Sequence, residues 1–274
     1  MSRRRFLVMA RAGDRSLHRE WIRGERRNFD LYLSCYGSDP ARHRGDCEHW
    51  RAKGSTKWPA LAEHLAEDAA LVGDYEAVWM PDDDILTSTE DICRMFDLFS
   101  AFRLDLAQPA LSANSYHSHA ILIRSPGRVI RYLNFVEVMA PILSSRALAV
   151  LSPTFPLSST GWGLDFLWPQ ILERDIPGHR MGVIDATPVV HTRPVGAGDI
   201  YATAGKSAAS RDLARLASQY PWADLSSRGR GSALRLAGHV SEAALPSFLA
   251  LSLAWMSRKL AKWRYAGHPK HPLG

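Results

Sequence analysis

The stretch YEAVWMPDDD (75–84) places three carboxylates directly after a short apolar segment. Tyr75–Met80 is short, apolar and halted by Pro81, which predicts a buried strand. Asp82, Asp83 and Asp84 then occupy the turn that follows this strand. Ligands of open α/β sheets bind at the carboxyl ends of strands, so the position of the acidic turn suits a binding site.

A helix is predicted immediately after the acidic turn. Apolar residues recur at helical spacing over Ser88–Phe102. Thr87 with Glu90 three positions later predicts a capping box at the start of this helix. Strand, acidic turn and helix together form one unit of an α/β sheet.

The same alternation of strands and helices extends over the first two thirds of the chain. The other predicted strands are Phe6–Ala10, Phe29–Cys35, Leu106–Leu111, Ala120–Ile123, Phe135–Leu143, and a last region of Gly182–Asp185 and Pro188–Val190. The other predicted helices are Ser16–Arg23, Trp58–Leu71, Ser144–Val150 and Phe166–Glu173. The basic stretch Arg42–Lys57 has no clear period and is predicted to be a long loop.

The composition changes beyond residue 195 or so, where Ala, Ser, Arg and Gly dominate. We therefore predict a core domain over 1–205 and an extension over 206–274. The extension contains a Ser/Arg/Gly-rich linker at Ser226–Ser232 and a helical tail at Leu245–Arg264.

Composition excludes several classes of protein. The 274 residues are 46% apolar and 23% charged, which argues against disorder. Three cysteines without a Cys-x-x-Cys pair support neither a disulfide framework nor a structural zinc knot, and they predict a reducing, cytoplasmic location. The longest apolar stretch, Ala243–Met256, falls short of the ~20 residues that span a bilayer.

The net charge of +6 suits anionic partners such as phosphates, nucleic acid or an acidic membrane surface. The basic residues are scattered and no known nucleic-acid motif is present, so no nucleic-acid partner is expected.

The acidic turn has two interpretations. Adjacent carboxylates repel one another by about 1 kcal/mol per pair in water and more near a protein surface, and a hard divalent cation would relieve this repulsion. The alternative is a solvated acidic turn that leads into a helix. His191 ends the last predicted strand and is either a further ligand of the same metal or a structural histidine, and Arg193 beside it can face phosphate.

The segment GWGLD (161–165) combines two glycines, a flat ring and a carboxylate. Such a loop can present Trp162 to a sugar beside Asp165 as a general base. The alternative is a tight turn with Trp162 in the core and Asp165 capping the next helix.

Five segments in a fixed order resemble the domain-of-unknown-function family 707, over roughly residues 5–200. They are WMPDDDI (79–85), LAQPAL (106–111), FVEVMAPILSSRAL (135–148), GWGLDF (161–166) and GVIDATPVVH (182–191). Members of that family look like glycosyltransferases of the GT-A fold. The acidic segment departs from the usual family form at Pro81, where Trp is expected, and at Asp83, where Glu is common.

The resemblance implies a nucleotide-sugar-dependent transferase with a GT-A, Rossmann-like, mixed and mostly parallel sheet flanked by helices. Asp82 and Asp84 would hold Mn²⁺ or Mg²⁺ against the donor pyrophosphate, and His191 would match the C-terminal metal or phosphate ligand. Asp165 would be the general base of an inverting reaction, with Trp162 in contact with acceptor or donor.

The resemblance also implies roles for residues around the metal. Asp82, Asp83 and Arg193 would bind the donor, a UDP-sugar above all. Arg11, Asp39 and Lys57 follow early strands or open the next helix, and we expect them to grip nucleotide or phosphate. The acceptor would be a glycan or a lipid-linked glycan in polysaccharide biosynthesis.

Two alternatives stay open at this point. The fold is also compatible with a catalytically inactive protein that binds nucleotide-sugars or glycans. The predicted helix at 245–264 has an apolar stripe, Trp255, Trp263 and cationic residues, so it either docks on a membrane surface or packs on the core or a partner copy.

Overall fold

The computed structural model describes residues 3–194, 207–226 and 236–242, and these form one large mixed sheet with helices packed against it. The strands are β1 (Phe6–Ala12), β2 (Phe29–Cys35), β3 (His49–Ala52), β4 (Ala77–Trp79), β5 (Ile85–Leu86), β6 (Leu106–Leu111), β7 (Arg128–Leu133), β8 (Ile142–Ser144), β9 (Met181–His191) and β10 (Leu236–Ser241). The helices are α1 (His18–Trp21), α2 (Lys57–Glu67), α3 (Ala69–Gly73), α4 (Thr89–Ala101), α5 (Ser145–Leu151), α6 (Leu164–Asp175) and α7 (Ala208–Gln219). Short 3-10 helices cover Pro40–His43, Ala120–Leu122 and Ser152–Leu157.

The strand order is β10-β7-β9-β6-β8-β4-β1-β2-β3, and β5 pairs separately with β9. Strands β3, β2, β1 and β4 are parallel, β8 runs antiparallel between β4 and β6, and β9 is parallel to β6. Strands β1 and β2 are buried at every position, as expected for continuous apolar strands covered on both faces. The predicted mixed, mostly parallel α/β sheet flanked by helices is therefore confirmed.

Several local predictions were wrong. The predicted loop Arg42–Lys57 contains the second half of a 3-10 helix and all of β3, which pairs with β2. Ala120–Leu122 forms a 3-10 helix rather than a strand, and within Phe135–Leu143 only the last two residues belong to a strand. These segments lie at the sheet edge or cross over it, where tertiary contacts outweigh short apolar runs.

The start of α4 lies one residue later than predicted. Ser88, not Thr87, is the N-cap, and its side chain accepts a hydrogen bond from the backbone N–H of Asp91. The cap is therefore the Ser88–Asp91 pair, which supplies the same chemistry as the predicted pair of Thr87 and Glu90.

Two elements of the chain's second half add to the core. Strand β10 pairs antiparallel with β7 and forms one edge of the sheet, and neither strand was predicted. Helix α7 packs beside the loop at 158–163. The predicted boundary at 205, the tail helix Leu245–Arg264 and most of the linker Ser226–Ser232 lie outside the described residues, so the division into two domains stays a prediction. Within the described part of the chain, no helix has the length and apolar character needed to cross a membrane.

Candidate active site

The acidic turn is held in place by backbone pairing with the segment that precedes β8. The N–H of Met80 donates to the carbonyl of Pro141 at 2.8 Å, and the N–H of Asp82 donates to that of Met139 at 2.8 Å. The turn therefore leaves β4 in a fixed direction, and its carboxylates lie at the carboxyl end of that strand.

His191 reaches the acidic turn through the small sheet of β5 and β9. Ile85 pairs with His191 across these strands, and the backbone N–H and hydroxyl of Thr192 both donate to the carbonyl of Asp84, at 3.2 and 2.8 Å. His191 Nε2 lies 3.3 Å from Asp84 Oδ2. The two ends of the predicted metal site, far apart in sequence, are thus adjacent.

The hydrogen bonds of His191 fix the ring for ligation. Its Nδ1 lies 2.9 Å from the carbonyl oxygen of Tyr116, which can only accept, so Nδ1 carries a proton and Nε2 faces Asp84. Burial alone would lower the pKa of His191, but the Asp84 carboxylate and the Tyr116 carbonyl outweigh burial and raise that pKa. The raised pKa shows that this position favours positive charge.

The three side chains fit a divalent cation. One ligand atom each from Asp82, Asp84 and His191 lies within 4.8 Å of the others. The side chain of Asp82 is 39% exposed and that of Asp84 only 9%, so the cluster opens towards solvent on the Asp82 side. Two carboxylates and one imidazole are a donor set that suits Mn²⁺ or Mg²⁺, and an open side leaves room for phosphate oxygens.

Lys57 and Asp83 have structural partners in this site. Lys57 Nζ donates to Asp82 Oδ1 at 2.7 Å and to the carbonyls of Val138 and Met139 at 2.9 and 3.1 Å, which occupies its three N–H donors. Asp83 Oδ2 accepts from the backbone N–H of Gly13 at 2.8 Å. Lys57 therefore orients Asp82, and Asp83 ties the acidic turn to the loop after β1.

The remaining predicted donor-binding residues surround this loop. Arg193 donates to Asp83 Oδ1 at 3.2 Å and to the carbonyl of Arg15 at 2.6 Å. Arg11 is buried, donates to the Ser34 hydroxyl at 2.8 Å and lies over the Tyr36 ring.

The backbone of Asp39 also contacts the loop after β1, at Asp14, but its side chain has a local partner. Asp39 is exposed, and its carboxylate caps the 3-10 helix Pro40–His43 by accepting from the backbone N–H of Ala41 at 3.0 Å. The structure thus gives Asp39 a capping role, and a contact with the donor stays a prediction.

The GWGLD loop exposes Trp162 and buries Asp165. Trp162 is 46% exposed, so the alternative that placed its ring in the core is wrong. Gly161 and Gly163 have φ of 81° and 93°, which only glycine adopts easily, and a Cβ on Gly161 would lie 2.7 Å from Trp58 Nε1. Gly163, not Asp165, is the N-cap of α6, and Asp165 lies in its first turn.

Asp212 of α7 accepts hydrogen bonds from the segment that leads into the GWGLD loop. Its Oδ2 accepts from the hydroxyls of Ser158, Ser159 and Thr160 at 3.2, 3.2 and 2.7 Å, and from the backbone N–H of Thr160 at 2.9 Å. The predicted extension thus supplies a buried carboxylate that orders the loop carrying Trp162.

Asp165, which was predicted from the sequence, interacts with a second buried acid, Glu137, which was not predicted. Burial, reinforced by repulsion from Glu137, raises the pKa of Asp165 to about 8. Burial also raises the pKa of Glu137 to about 7, although the charge of His191 opposes this rise. Among the described residues, Asp165 Oδ1 and Glu137 Oε2 have no hydrogen-bond partner.

Glu137 connects the two halves of the site. Its carboxyl group interacts electrostatically with Asp165 on one side and with His191 and Asp82 on the other. Its backbone N–H donates to Gln108 Oε1 at 2.6 Å, which fixes the segment that crosses from β7 to β8. Glu137 is the one charged residue in the apolar run FVEVMAPIL (135–143), and this was the signal in the sequence. A carboxylate buried among apolar residues is rare unless it is paired or functional.

Comparisons with known proteins agree with this fold. No family model and no curated protein matches the sequence, so membership of the family 707 stays a prediction. Among solved structures, S. aureus TarS has a TM-score of 0.51 at 10% identity, with 82% of this chain and 41% of that chain covered. This chain therefore spans less than half of the full TarS structure.

Two structures of TarS residues 1–349 are also similar. The complex with UDP-GlcNAc has a TM-score of 0.55 at 11% identity, and the complex with UDP has a TM-score of 0.53 at 10% identity. Each covers 82% of this chain and 68% of that chain. At such low identity the likeness shows the fold alone, which is an α/β fold that this chain shares with the TarS structures.

Proposed function

We propose that this protein is a metal-dependent glycosyltransferase, which moves a sugar from a nucleotide-sugar to a hydroxyl acceptor with inversion at the anomeric carbon. The observation that carries the proposal is that Asp82, Asp84 and His191 converge beside the buried acids Glu137 and Asp165. The complexes of similar TarS structures with UDP-GlcNAc and UDP support a UDP-sugar as the donor.

The acidic turn and His191 would hold Mn²⁺ or Mg²⁺. When bound, such an ion neutralises the charge that develops on the departing nucleoside diphosphate. Lys57 keeps Asp82 oriented, and Asp83 with Arg193 fixes the loop at 13–15 along the donor side of the site. These residues pre-organise the donor end, so little reorganisation is needed when the donor binds.

Asp165 would be the general base. Its carboxylate takes the proton from the acceptor hydroxyl while that oxygen attacks the anomeric carbon and the nucleoside diphosphate leaves with the bonding electron pair. A pKa of about 8 makes Asp165 a stronger base than an exposed carboxylate, and its free Oδ1 can accept the proton. The exposed Trp162 ring beside it suits stacking on the sugar face of a glycan or lipid-linked glycan acceptor.

Ligand binding is tested by thermal shift with UDP, UDP-GlcNAc and other nucleotide-sugars, each with and without Mn²⁺. A ligand of the native state raises the melting temperature by mass action, so a donor that uses the acidic site should act only with the metal present. The Asp84→Ala variant should lose this response, whereas Asp175→Ala, an exposed carboxylate at the end of α6, should retain it. A metal-independent response that survives Asp84→Ala would contradict the metal role.

Transfer is tested by release of nucleoside diphosphate from the donor that binds, with a panel of glycan acceptors. Asp165→Asn should lower turnover by at least ~100-fold, since general base catalysis contributes about 10²–10⁴. Donor binding should be unchanged in that variant. Binding without turnover in the wild type would favour the inactive binding protein, and near-normal turnover in Asp165→Asn would make the base assignment wrong.

A further inference from the structure

A second cluster of potential metal ligands lies at the loop after β1, away from the acidic turn. It consists of His18 of α1, His43 of the 3-10 helix and Asp46 just beyond that helix. One ligand atom from each lies within 4.8 Å of the others. His18 Nε2 lies 3.0 Å from Asp46 Oδ2, and His43 Nδ1 lies 3.4 Å from the same oxygen.

We propose that His18, His43 and Asp46 bind a zinc ion, which fixes the loop after β1. Ligand atoms of a tetrahedral zinc ion stand about 3.3 Å apart, given zinc–ligand distances of about 2.0–2.1 Å. The two measured separations match that spacing. The cluster therefore supplies three ligand atoms at separations that one zinc ion can bridge.

In each histidine ring, the nitrogen that faces away from Asp46 has a partner of its own. This contact suits binding of a metal by the nitrogen that faces Asp46. His43 Nε2 lies 3.2 Å from the carbonyl oxygen of Gly13, which only accepts, so Nε2 carries the proton and Nδ1 holds the lone pair. His18 Nδ1 lies 2.8 Å from the Ser16 hydroxyl, and this contact allows a lone pair on Nε2. A second partner that sets the tautomer is the usual arrangement around a metal-bound histidine.

His43 Nδ1 is the observation that points to a ligand. His43 is 6% exposed, and within the described part of the chain its Nδ1 has no hydrogen-bond partner. In the tautomer that Gly13 favours, this lone pair faces a carboxylate oxygen, which is a repulsive contact between two acceptors. A cation between them converts the repulsion into two bonds.

The two histidine rings are packed for this role. His18 is fully buried, and its ring meets that of His43 edge to face, with centroids 4.5 Å apart. Arg19 also donates to Asp46 Oδ2 at 2.9 Å, but its side chain is 60% exposed, so its competition with a bound ion is weakened by solvent.

The types of ligand in this cluster differ from those in the acidic turn. Two imidazoles and one carboxylate suit zinc and related transition metals, whereas the carboxylate-rich set of Asp82 and Asp84 suits hard cations. The two sites are connected through Gly13, whose carbonyl contacts His43 and whose N–H donates to Asp83. Zinc would therefore stabilise the loop against which the acidic turn is built, whatever reaction the protein performs.

The test is zinc retention by the full chain after dialysis against excess zinc and gel filtration. The variant Asp82→Asn/Asp84→Asn serves as the background, because it disables the acidic turn. This background should retain about one zinc ion per chain. Adding His43→Gln or Asp46→Asn should reduce the retained zinc to near zero, with the far-UV circular dichroism spectrum unchanged.

A second measurement covers the case in which a substitution unfolds the protein. Cobalt(II) added to the intact background should give the intense visible absorption of a tetrahedral ion, and zinc should displace it. No retained zinc, a weak octahedral cobalt spectrum, or full retention in a folded His43→Gln chain would each overturn the proposal. Zinc that is retained by the wild type and lost in Asp82→Asn/Asp84→Asn would place the ion at the acidic turn instead and overturn it as well.

Discussion

Burial favours the neutral forms of Asp165 and Glu137, whereas the proposed function requires Asp165 to be ionised. Both carboxyl groups are more than nine-tenths buried, and the charge of Glu137 favours the neutral form of Asp165. A general base must nevertheless lose its proton before it can act. The pair therefore makes activity and stability respond to pH in opposite directions.

The rate of transfer should rise with pH through the range of about 7 to 8. Asp165 is protonated below its pKa of about 8 and becomes able to accept the acceptor's proton above it. The measurement is the pH profile of kcat/KM from pH 5 to 9. In Glu137→Gln the midpoint should shift to lower pH, because repulsion from the neighbouring carboxylate is removed. A flat wild-type profile would contradict the role of Asp165 as base.

Asp165→Asn should stabilise the protein at pH 8 while it lowers transfer by at least ~100-fold. In the unfolded chain Asp165 ionises near 3.8, so between about pH 4 and 8 the folded state binds the extra proton and loses stability as pH rises. Asparagine does not ionise and escapes this loss. The melting temperature of the variant relative to wild type should rise from pH 4 to pH 8, because only the wild type loses stability over that range. The exposed Asp175→Asn should show no comparable change.

At the scale of elements, α7 and the GWGLD loop form one unit. Leu213 and Leu216 of α7 lie against Gly163, where a Cβ would come within 3.1 and 3.0 Å of them. Asp212 of the same helix accepts hydrogen bonds from Ser158, Ser159 and Thr160. The helix therefore both packs on the loop and satisfies its polar groups.

Asp212→Ala should loosen this loop and lower transfer. The substitution leaves several donors without their charged acceptor, which we expect to cost about 2–4 kcal/mol of unfolding free energy. Denaturant unfolding measures the loss, and turnover should fall because Trp162 and Asp165 lose their support. The matched change Asp175→Ala removes only an exposed ion pair and should cost less than ~1 kcal/mol. Equal effects of the two changes would show that α7 does not order the loop.

At the scale of the whole molecule, the sheet depends on the close approach of β9 to β7. Gly182 pairs with Ala107 of β6 and with Tyr132 of β7. A Cβ on Gly182 would lie 2.5 Å from the backbone carbonyl oxygen of Arg131, which cannot move without breaking the β7–β9 pairing. The position of His191 at the end of β9 depends on this pairing.

Gly182→Ala should destabilise the whole domain by several kcal/mol, to the point of unfolding. The alanine Cβ and the pairing of β9 with β7 cannot occupy the same space. Gly73→Ala is the matched control, since a Cβ on Gly73 meets nothing within 4 Å. Its effect should stay within about 1 kcal/mol. Guanidinium unfolding curves of both variants give the comparison, and a Gly182→Ala chain of wild-type stability would contradict the close approach.

The position of the acidic site could be predicted because it depends on local order along the chain. A buried strand that ends shortly before Pro81 puts Asp82–Asp84 at the carboxyl edge of the sheet, and the strand that ends at His191 reaches the same edge. Strands β3, β7 and β10 were not predicted. They lie at or near the edges of the sheet, where a strand forms because of its pairing partners rather than because of an apolar run in its own sequence.

The sequence by itself determined the class of fold and the residues of the acidic turn, because hydrophobic periodicity and the order of strands and turns are local properties. Only the tertiary structure decided which charges face each other. It placed Glu137 beside Asp165, turned Lys57 onto Asp82 rather than towards solvent, and brought His18 to His43 and Asp46. These relations depend on distances between segments that are remote along the chain, and desolvation and charge proximity, which set the chemistry, exist only after those segments have packed together.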